Sequence, residues 1–335
     1  MVIVTTLGCK VNQYESNKII DELNALGIHA SDKSPVGLKD GIYVVNTCSV
    51  TGVAERKSRH AVSTILSRDP NAKIIVCGCA TELDKTQFKG VIKAFGTEKS
   101  EIVNYIKTLV KPSSATTTKQ TKSRANIKVQ DGCDNFCSYC IIPHLRGRSR
   151  SRNISEIVDE IKLLPHSIKE VVLTGINLSK FEPSLIQLCE AVNQTGKTFR
   201  LSSIHPHVIT QDFLTGLKTL SGFNPNFHIS LQSGSDTVLK AMNRKYTTAE
   251  YKTGVDTIRE HFPSAYISTD VIVGYPTETE DDFNQTLEFV NQIKFSKVHV
   301  FPFSIRTGTV AANLPPLQPS IITERAKRLS SLLSS

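Results

Sequence analysis

Cys133, Cys137 and Cys140 lie in the string VQDGCDNFCSYCIIP, spaced CxxxCxxC. Three thiolates this close in sequence can hold three irons of a [4Fe-4S] cluster. The fourth iron is then left without a protein ligand, open to bind and reduce a small molecule. Fully ligated electron-transfer clusters take four cysteines, so a triad points to chemistry rather than electron storage. Two plainer readings compete. A structural zinc site wants four ligands, usually as two close pairs, and His144 is the candidate fourth. A disulfide framework is expected of small secreted chains, not of 335 residues with eight cysteines and no apolar signal segment.

A second set of cysteines is scattered. Cys9 follows VIVTTLG, Cys48 follows IYVVNT, and Cys79 closes KIIVCGC. Each lies just past an apolar run that reads as a buried strand. In a doubly wound sheet the carboxyl ends of parallel strands line one crevice, so these thiols would converge in space. Isolated cysteines are otherwise small buried hydrophobes. Cys77 competes with Cys79 but still sits within the apolar run. Cys189 shares a helical stripe with Leu185, Leu188 and Val192 and reads as core.

The elements that must position these residues alternate between strand and helix. Over residues 1–110 the strand candidates VIVTTL, IYVVNT and KIIVCG are separated by helical spacings such as Ile19, Ile20, Leu23, Leu26 and Ile102, Val103, Ile106, Leu109. That pattern predicts an α/β domain with a doubly wound parallel sheet. Residues 111–126, Ser/Thr-rich and basic, read as a linker. From 127 to 319 six further strands are expected, at 127–130, 170–175, 199–204, 227–232, 267–274 and 298–304. Helices such as 155–164 and 281–293 lie between them. With right-handed crossovers this is a partial (β/α)6 barrel with its helices outside and its site at the strand carboxyl ends. Residues 320–335 read as a terminal helix.

The net charge is +9, which favours a polyanionic partner such as nucleic acid. Arg146, Arg148, Arg150 and Arg152 form an RxRxRxR run beside the cysteine loop and suit phosphates; the plain alternative is a solvated basic face. No apolar run is long enough to span a bilayer. The expected setting is the reducing cytoplasm, with no membrane partner.

CxxxCxxC after a strand, followed by a six-unit barrel, resembles the radical S-adenosylmethionine (SAM) enzymes. GCKVNQYES around Cys9, NTCSVT around Cys48 and GCAT around Cys79 resemble the methylthiotransferase subfamily. RGRSRSR (146–152), ISLQSGSDTVLKAMNRKYT (229–247), TDVIVGYPTETEDDF (269–283) and FPFSIRTGT (301–309) continue the match over nearly the whole chain. VTGVAERKSR (50–59) and LTGINL (173–178) look most like the branch acting on threonylcarbamoyladenosine in tRNA. SSIHPH (202–207), with His205, is more like the isopentenyladenosine branch, and a third branch modifies an aspartate of a ribosomal protein. A non-catalytic Fe-S or zinc nucleic-acid-binding protein is the reading from another class. The family commonly ends in a small tRNA-gripping β-barrel, which this chain is expected to lack.

The resemblance implies two [4Fe-4S] clusters, one on Cys133, Cys137 and Cys140 that binds SAM, and an auxiliary one on Cys9, Cys48 and Cys79 that carries sulfur. The two are expected to face each other, with no catalytic residues beyond the cluster ligands. It also implies a tRNA substrate, an electron donor such as flavodoxin or ferredoxin, and a monomer. Tyr139, inside the cysteine loop, would stack on the adenine of SAM or wedge the loop, and Phe136 shares that choice. Asn177 would meet SAM's amino group, Ser230 and Gln232 its ribose, and Gly274 would let the backbone approach the adenine or serve the turn into Pro276. Arg146, Arg148, Arg150 and Arg152 would contact RNA.

Overall fold

Residues 1–35, 37–110 and 123–333 are described by the computed structural model. The chain divides into two compact units. One comprises Met1–Lys122 and His144–Gly147, the other Ser123–Pro143 and Arg148–Ser335.

The first unit begins with β1 (Val2–Thr6), α1 (Lys10–Ala25), β2 (Ala30–Ser31), β3 (Ile42–Thr47) and α2 (Gly52–Arg68). It continues through β4 (Lys73–Gly78), α3 (Cys79–Leu83), β5 (Lys93–Ala94) and α4 (Glu101–Leu109). The strands form one parallel sheet in the order β2-β1-β3-β4-β5. Every residue of β3 is buried, which explains its continuous apolar run, since helices cover both sheet faces. Ile19 and Leu23 of α1 and Ile102 and Ile106 of α4 pack on Val4, Val44 and Ile75. Val62 of α2 packs with Val45, Ile74 and Val76 on the opposite face. Strand order reverses between β1 and β3, and ligands of such sheets bind outside the carboxyl ends at that reversal.

The second unit opens with β6 (Arg124–Lys128) and β7 (Gln130–Asp131). The cysteine loop follows; α5 (Ile142–Arg146) leaves it, and β8 (Arg150–Ser151) returns antiparallel to β7. Then come α6 (Ile154–Lys162), β9 (Glu170–Thr174), α7 (Leu185–Asn193), β10 (Thr198–Leu201), β11 (Ser203–Ile204), α8 (Gln211–Lys218) and β12 (Asn226–Ile229). The unit ends with α9 (Asp236–Ala241), α10 (Thr248–His261), β13 (Tyr266–Val273), α11 (Glu280–Ile293), β14 (Lys297–Pro302) and α12 (Pro319–Leu332). Parallel pairings run β10-β9-β6 and β11-β12-β13-β14. β10 and β11 are one strand broken at Ser202, so six strands succeed one another as the sequence predicts. Helix and strand side chains, among them Phe199, Phe227 and Phe283, share one core. Each such fully buried side chain contributes about 1.5–3 kcal/mol. Capping boxes start α10 at Thr247/Glu250 and α11 at Thr279/Asp282.

The linker expected over 111–126 lies outside the described residues as far as 122. Beyond it the expectation needs correcting: Arg124 already belongs to β6, in register with Glu170, and forms an ion pair with it. β6 is an edge strand, and an edge tolerates the polar residues that read as linker. Among the described residues no helix is long and apolar enough to cross a membrane.

Candidate active site

The cysteine loop of the second unit is held by its neck and by its middle. At the neck β7 pairs with β8, and the Gln130 side chain donates to the Gly132 carbonyl (2.8 Å) and Ser149 Oγ (2.9 Å) while accepting from the Asn177 amide (2.8 Å). In the middle Ser138 donates its amide to the Met242 carbonyl (3.1 Å) and its hydroxyl to the Ala241 carbonyl (2.9 Å). Phe136 adopts a left-handed φ of 44°, and its carbonyl accepts from Asn243 Nδ2 at 3.0 Å.

The three sulfurs of this loop receive donors. The Asn135 amide bonds Cys133 and the Ile142 amide bonds Cys140. Asn177 Nδ2 lies 3.6 Å from Cys133 Sγ and Arg244 Nη1 3.4 Å from Cys137 Sγ. Burial pushes the Cys140 thiol up to about 12 and raises Cys133 as well. Without a bound cation these thiols keep their protons; a metal centre removes them. Donors aimed at sulfur are how proteins tune iron-sulfur clusters.

At a Zn–S bond of about 2.3 Å, two tetrahedral thiolates stand about 3.8 Å apart. Among the described residues, the one group of three ligand atoms lying within 4.8 Å of one another is His228, Asp270 and His299, and neither cysteine triad is that tight. His144, the candidate fourth zinc ligand, is exposed and belongs to the first unit.

Around this loop the sequence-predicted cofactor residues fare unequally. Asn177 is 2% exposed, and its Oδ1 has no hydrogen-bond partner. A buried acceptor left unpaired costs about 1–3 kcal/mol, so the position favours a bound N–H donor. Ser230 is buried with its Oγ 2.7 Å from Ser203 Oγ. Gln232 has a left-handed φ of 75°, and its backbone bonds the Asp270 carbonyl and Ile272 amide. The Tyr139 ring packs against the cluster of Val238, Met242, Tyr275 and Ala311. Gly274 adopts a left-handed φ of 78°, as a turn into Pro276 requires. A Cβ there would stand 2.6 Å from Ile322 of α12, and its amide donates to Glu278 Oε2 at 2.7 Å.

Arg244 was not singled out from the sequence. Its Nη2 reaches His205 Nδ1 and the Ser230 carbonyl (both 3.4 Å), its Nε donates to Tyr246 Oη (2.9 Å), and its Nη1 meets Cys137. Burial opposes its charge, but the Tyr139 and Tyr246 phenols and the Cys137 thiol outweigh burial and hold the guanidinium above its ordinary value. Burial, then Arg244, pushes His205 down to about 3. His205 is therefore neutral: its Nδ1 accepts from Arg244, and its Nε2–H faces the Asn135 side-chain amide at 3.3 Å, as an acceptor once that amide is turned. An arginine in a polar stretch carries no periodic signal that would have found it.

The first unit brings its own three cysteines together at the carboxyl ends of β1, β3 and β4. Each of Cys9, Cys48 and Cys79 is near enough to sense charge on another. Gly8, at φ 98°, leaves room for Cys48, whose Sγ would lie 2.6 Å from a Cβ at that position. Gly78, at φ 97°, would drive a Cβ to 2.5 Å from the Thr47 carbonyl. Asn12 Nδ2 donates to the Leu7 and Thr47 carbonyls (2.8 and 2.9 Å) and so ties the first two loops. Thr47 Oγ1 donates to the Cys77 carbonyl (2.6 Å) and accepts from the Thr81 amide, tying the third. Burial lifts Cys48 to about 12 and raises Cys79, which Arg146 opposes. The Val50 amide bonds Cys48 Sγ, and Asn46 Oδ1 and Ser49 Oγ are buried without partners. Cys77 points into the core with Val44 and Ile75. The donor set fits a second cluster.

Of the four arginines, Arg148 and Arg150 are exposed; Arg148 pairs with Asp134 (3.2 Å) and covers the Phe136 ring at 4.8 Å. The other two expectations need correcting. Arg146 is 3% exposed and bound within the first unit to Glu15 and Asn12. Arg152 is half-buried, its guanidinium held by Glu160 (2.7 Å) and the Lys128 carbonyl (2.8 Å). A buried Glu15 claims Arg146, and half-buried Glu160 and Lys128 hold Arg152.

Comparison with known proteins agrees with this layout. A family model described as "Radical SAM superfamily" matches residues 127–290, and one described as "Uncharacterized protein family UPF0004" matches residues 1–96. A threonylcarbamoyladenosine tRNA methylthiotransferase of Chlamydia pneumoniae is 40% identical over 97% of this chain and 80% of its own length. A tRNA-2-methylthio-N(6)-dimethylallyladenosine synthase of Clostridium tetani is 33% identical over 97% of this chain and 79% of its own. A solved structure of the radical SAM methyltransferase TsrM from Kitasatospora setae, 13% identical, superposes with a TM-score of 0.61 over 90% of this chain and 74% of that one, a likeness of fold. The chain belongs to the radical SAM methylthiotransferases that modify tRNA.

Proposed function

We propose that the protein adds a methylthio group to carbon 2 of N(6)-threonylcarbamoyladenosine in tRNA. The observation that carries this reading is the presence of both cysteine triads, each with its sulfur donors, in a chain 40% identical to a methylthiotransferase of that name. Clusters on the two triads, with SAM, supply radical hydrogen abstraction from an unreactive carbon and a source of transferable sulfur and methyl. The residues of this chain do the positioning. Asn177 Oδ1 would accept from an N–H of the SAM amino group, which relieves a buried unpaired acceptor. Arg244 holds a permanent positive charge against Cys137, and neutral His205 keeps it oriented. The wedge of Tyr139 and the left-handed turn at Phe136 fix the cysteine loop. Arg148 and Arg150 present guanidinium groups to phosphate. An electron donor such as flavodoxin or ferredoxin supplies the reducing electron, and the chain works as a monomer in the cytoplasm.

The isopentenyl-type substrate is the second reading, favoured by His205 in SSIHPH and by the relative from Clostridium tetani. Mass spectrometry of tRNA nucleosides from a strain lacking the protein separates the two. Loss of the methylthio form of threonylcarbamoyladenosine is expected; loss of the isopentenyl counterpart alone reassigns the substrate. In the same assay Cys9→Ala abolishes transfer while reductive SAM cleavage persists. Full transfer by that variant would refute the sulfur-carrier role of the first unit.

A further inference from the structure

Arg146 is the best-buried arginine of the RGRSRSR segment. In the first unit its guanidinium is forked between two partners. Nη1 donates to Glu15 Oε1 (3.0 Å); Nη2 donates to Asn12 Oδ1 (2.8 Å) and Glu15 Oε2 (3.3 Å). The same guanidinium hydrogen-bonds Cys79. Lys99 closes the far side of Glu15, also buried. Glu15 and Asn12 come from α1, one and two turns or less beyond Cys9, and Asn12 also ties the loops that carry Cys9 and Cys48. The arginine is thus fastened to the scaffold of all three cysteines rather than resting on it. A bidentate Glu clamp fixes a guanidinium plane as a lysine ammonium cannot be fixed.

We propose that Arg146 is a positioning and tuning residue of the auxiliary centre, a fixed cation bonded to the Cys79 sulfur that raises the centre's reduction potential. This rests on the two-cluster reading above. Three thiolates make such a centre electron-rich, and the addition of another electron in a buried site is opposed by that charge. A donor to sulfur and a nearby positive charge both favour the reduced form. Glu15 opposes Arg146 and Lys99 supports it, so the three side chains together set the local field. The motif NQYES after Cys9 then has a second purpose: Asn12 and Glu15 are the seat of this arginine.

The test uses the full chain with Cys133, Cys137 and Cys140 replaced by alanine, reconstituted anaerobically, so that the auxiliary cluster alone is read by EPR-monitored redox titration. Arg146→Gln should shift the reduced-to-oxidised ratio at fixed ambient potential at least tenfold toward oxidised, about 59 mV for a one-electron couple. Glu15→Gln should shift it toward reduced, because Arg146 loses its counter-charge. Arg146→Lys should fall between wild type and Arg146→Gln. If Arg146→Gln fails to fold, the Glu15→Gln shift still decides. Shifts of the same sign in both variants, or ratios within twofold of wild type, overturn the proposal. A reconstituted barrel-cysteine variant that holds no iron overturns the cluster reading instead.

Discussion

Replacement of Asn177 by leucine should make the metal-free protein no less stable while it weakens SAM binding. The opposition follows from one atom. Asn177 Oδ1 is buried and unpaired, whereas its Nδ2 makes only a long contact to Cys133 Sγ at 3.6 Å. An unpaired buried acceptor costs about 1–3 kcal/mol, and a leucine of similar volume removes it. The backbone amide bond to Gln130 survives the change. At about 2–4 °C per kcal/mol for a unit of this size, the melting temperature should hold or rise by a few degrees. A hydrogen bond to an uncharged donor is worth about 1 kcal/mol, so loss of the acceptor for the amino group should weaken SAM binding roughly fivefold. Differential scanning calorimetry of the metal-free protein and anaerobic titration calorimetry of SAM into the reconstituted protein measure the two halves. SAM affinity within twofold of wild type would refute the amino-group role. A melting temperature lowered by 5 °C or more would show that Oδ1 has a structural partner.

Two further outcomes are expected. Arg148→Ala and Arg150→Ala should each lower tRNA affinity and reduce the slope of log K against log salt by about one unit, read by filter binding across a salt series; an unchanged slope in both removes these exposed guanidiniums from the RNA surface. Cys77 lies in the sheet core, where burial pushes its thiol from 9 up to about 12. A group raised in this way contributes stability in full below the unfolded value and loses it as pH climbs from 9 toward 12. Cys77→Val should flatten the part of that decline due to this thiol in urea titrations of metal-free protein at pH 8 and 10.5, and leave iron content unchanged; lost iron would exchange the roles of Cys77 and Cys79.

Strand and helix were legible wherever a single periodicity ran unbroken. β3 is buried throughout and read as a continuous apolar run; α11, expected at 281–293, spans Glu280–Ile293. β6 was cut short at its start because exposed Arg124 and half-buried Ala125 and Asn126 lie on an edge strand, and composition alone joins them to the preceding polar stretch. Cys77 lies inside the apolar run and packs in the core, whereas Cys79 begins the helix just past the Gly78 turn. The arginines show the opposite case. RxRxRxR has one charge pattern and one spacing, yet two of its members are exposed, one is half-buried and one is buried. Nothing local distinguishes them, because their partners Glu15 and Glu160 lie in other elements.

The amino-acid sequence alone determined which residues can ligate iron and at which strand ends they stand, because ligand spacing and element periodicity are local properties. Only the tertiary structure decided what surrounds the sulfurs: Arg146 on Cys79, Arg244 on Cys137, and the unpaired oxygen of Asn177 beside Cys133. Those contacts join residues far apart in sequence, and burial and hydrogen bonding, unlike spacing, exist only once the chain has closed around them.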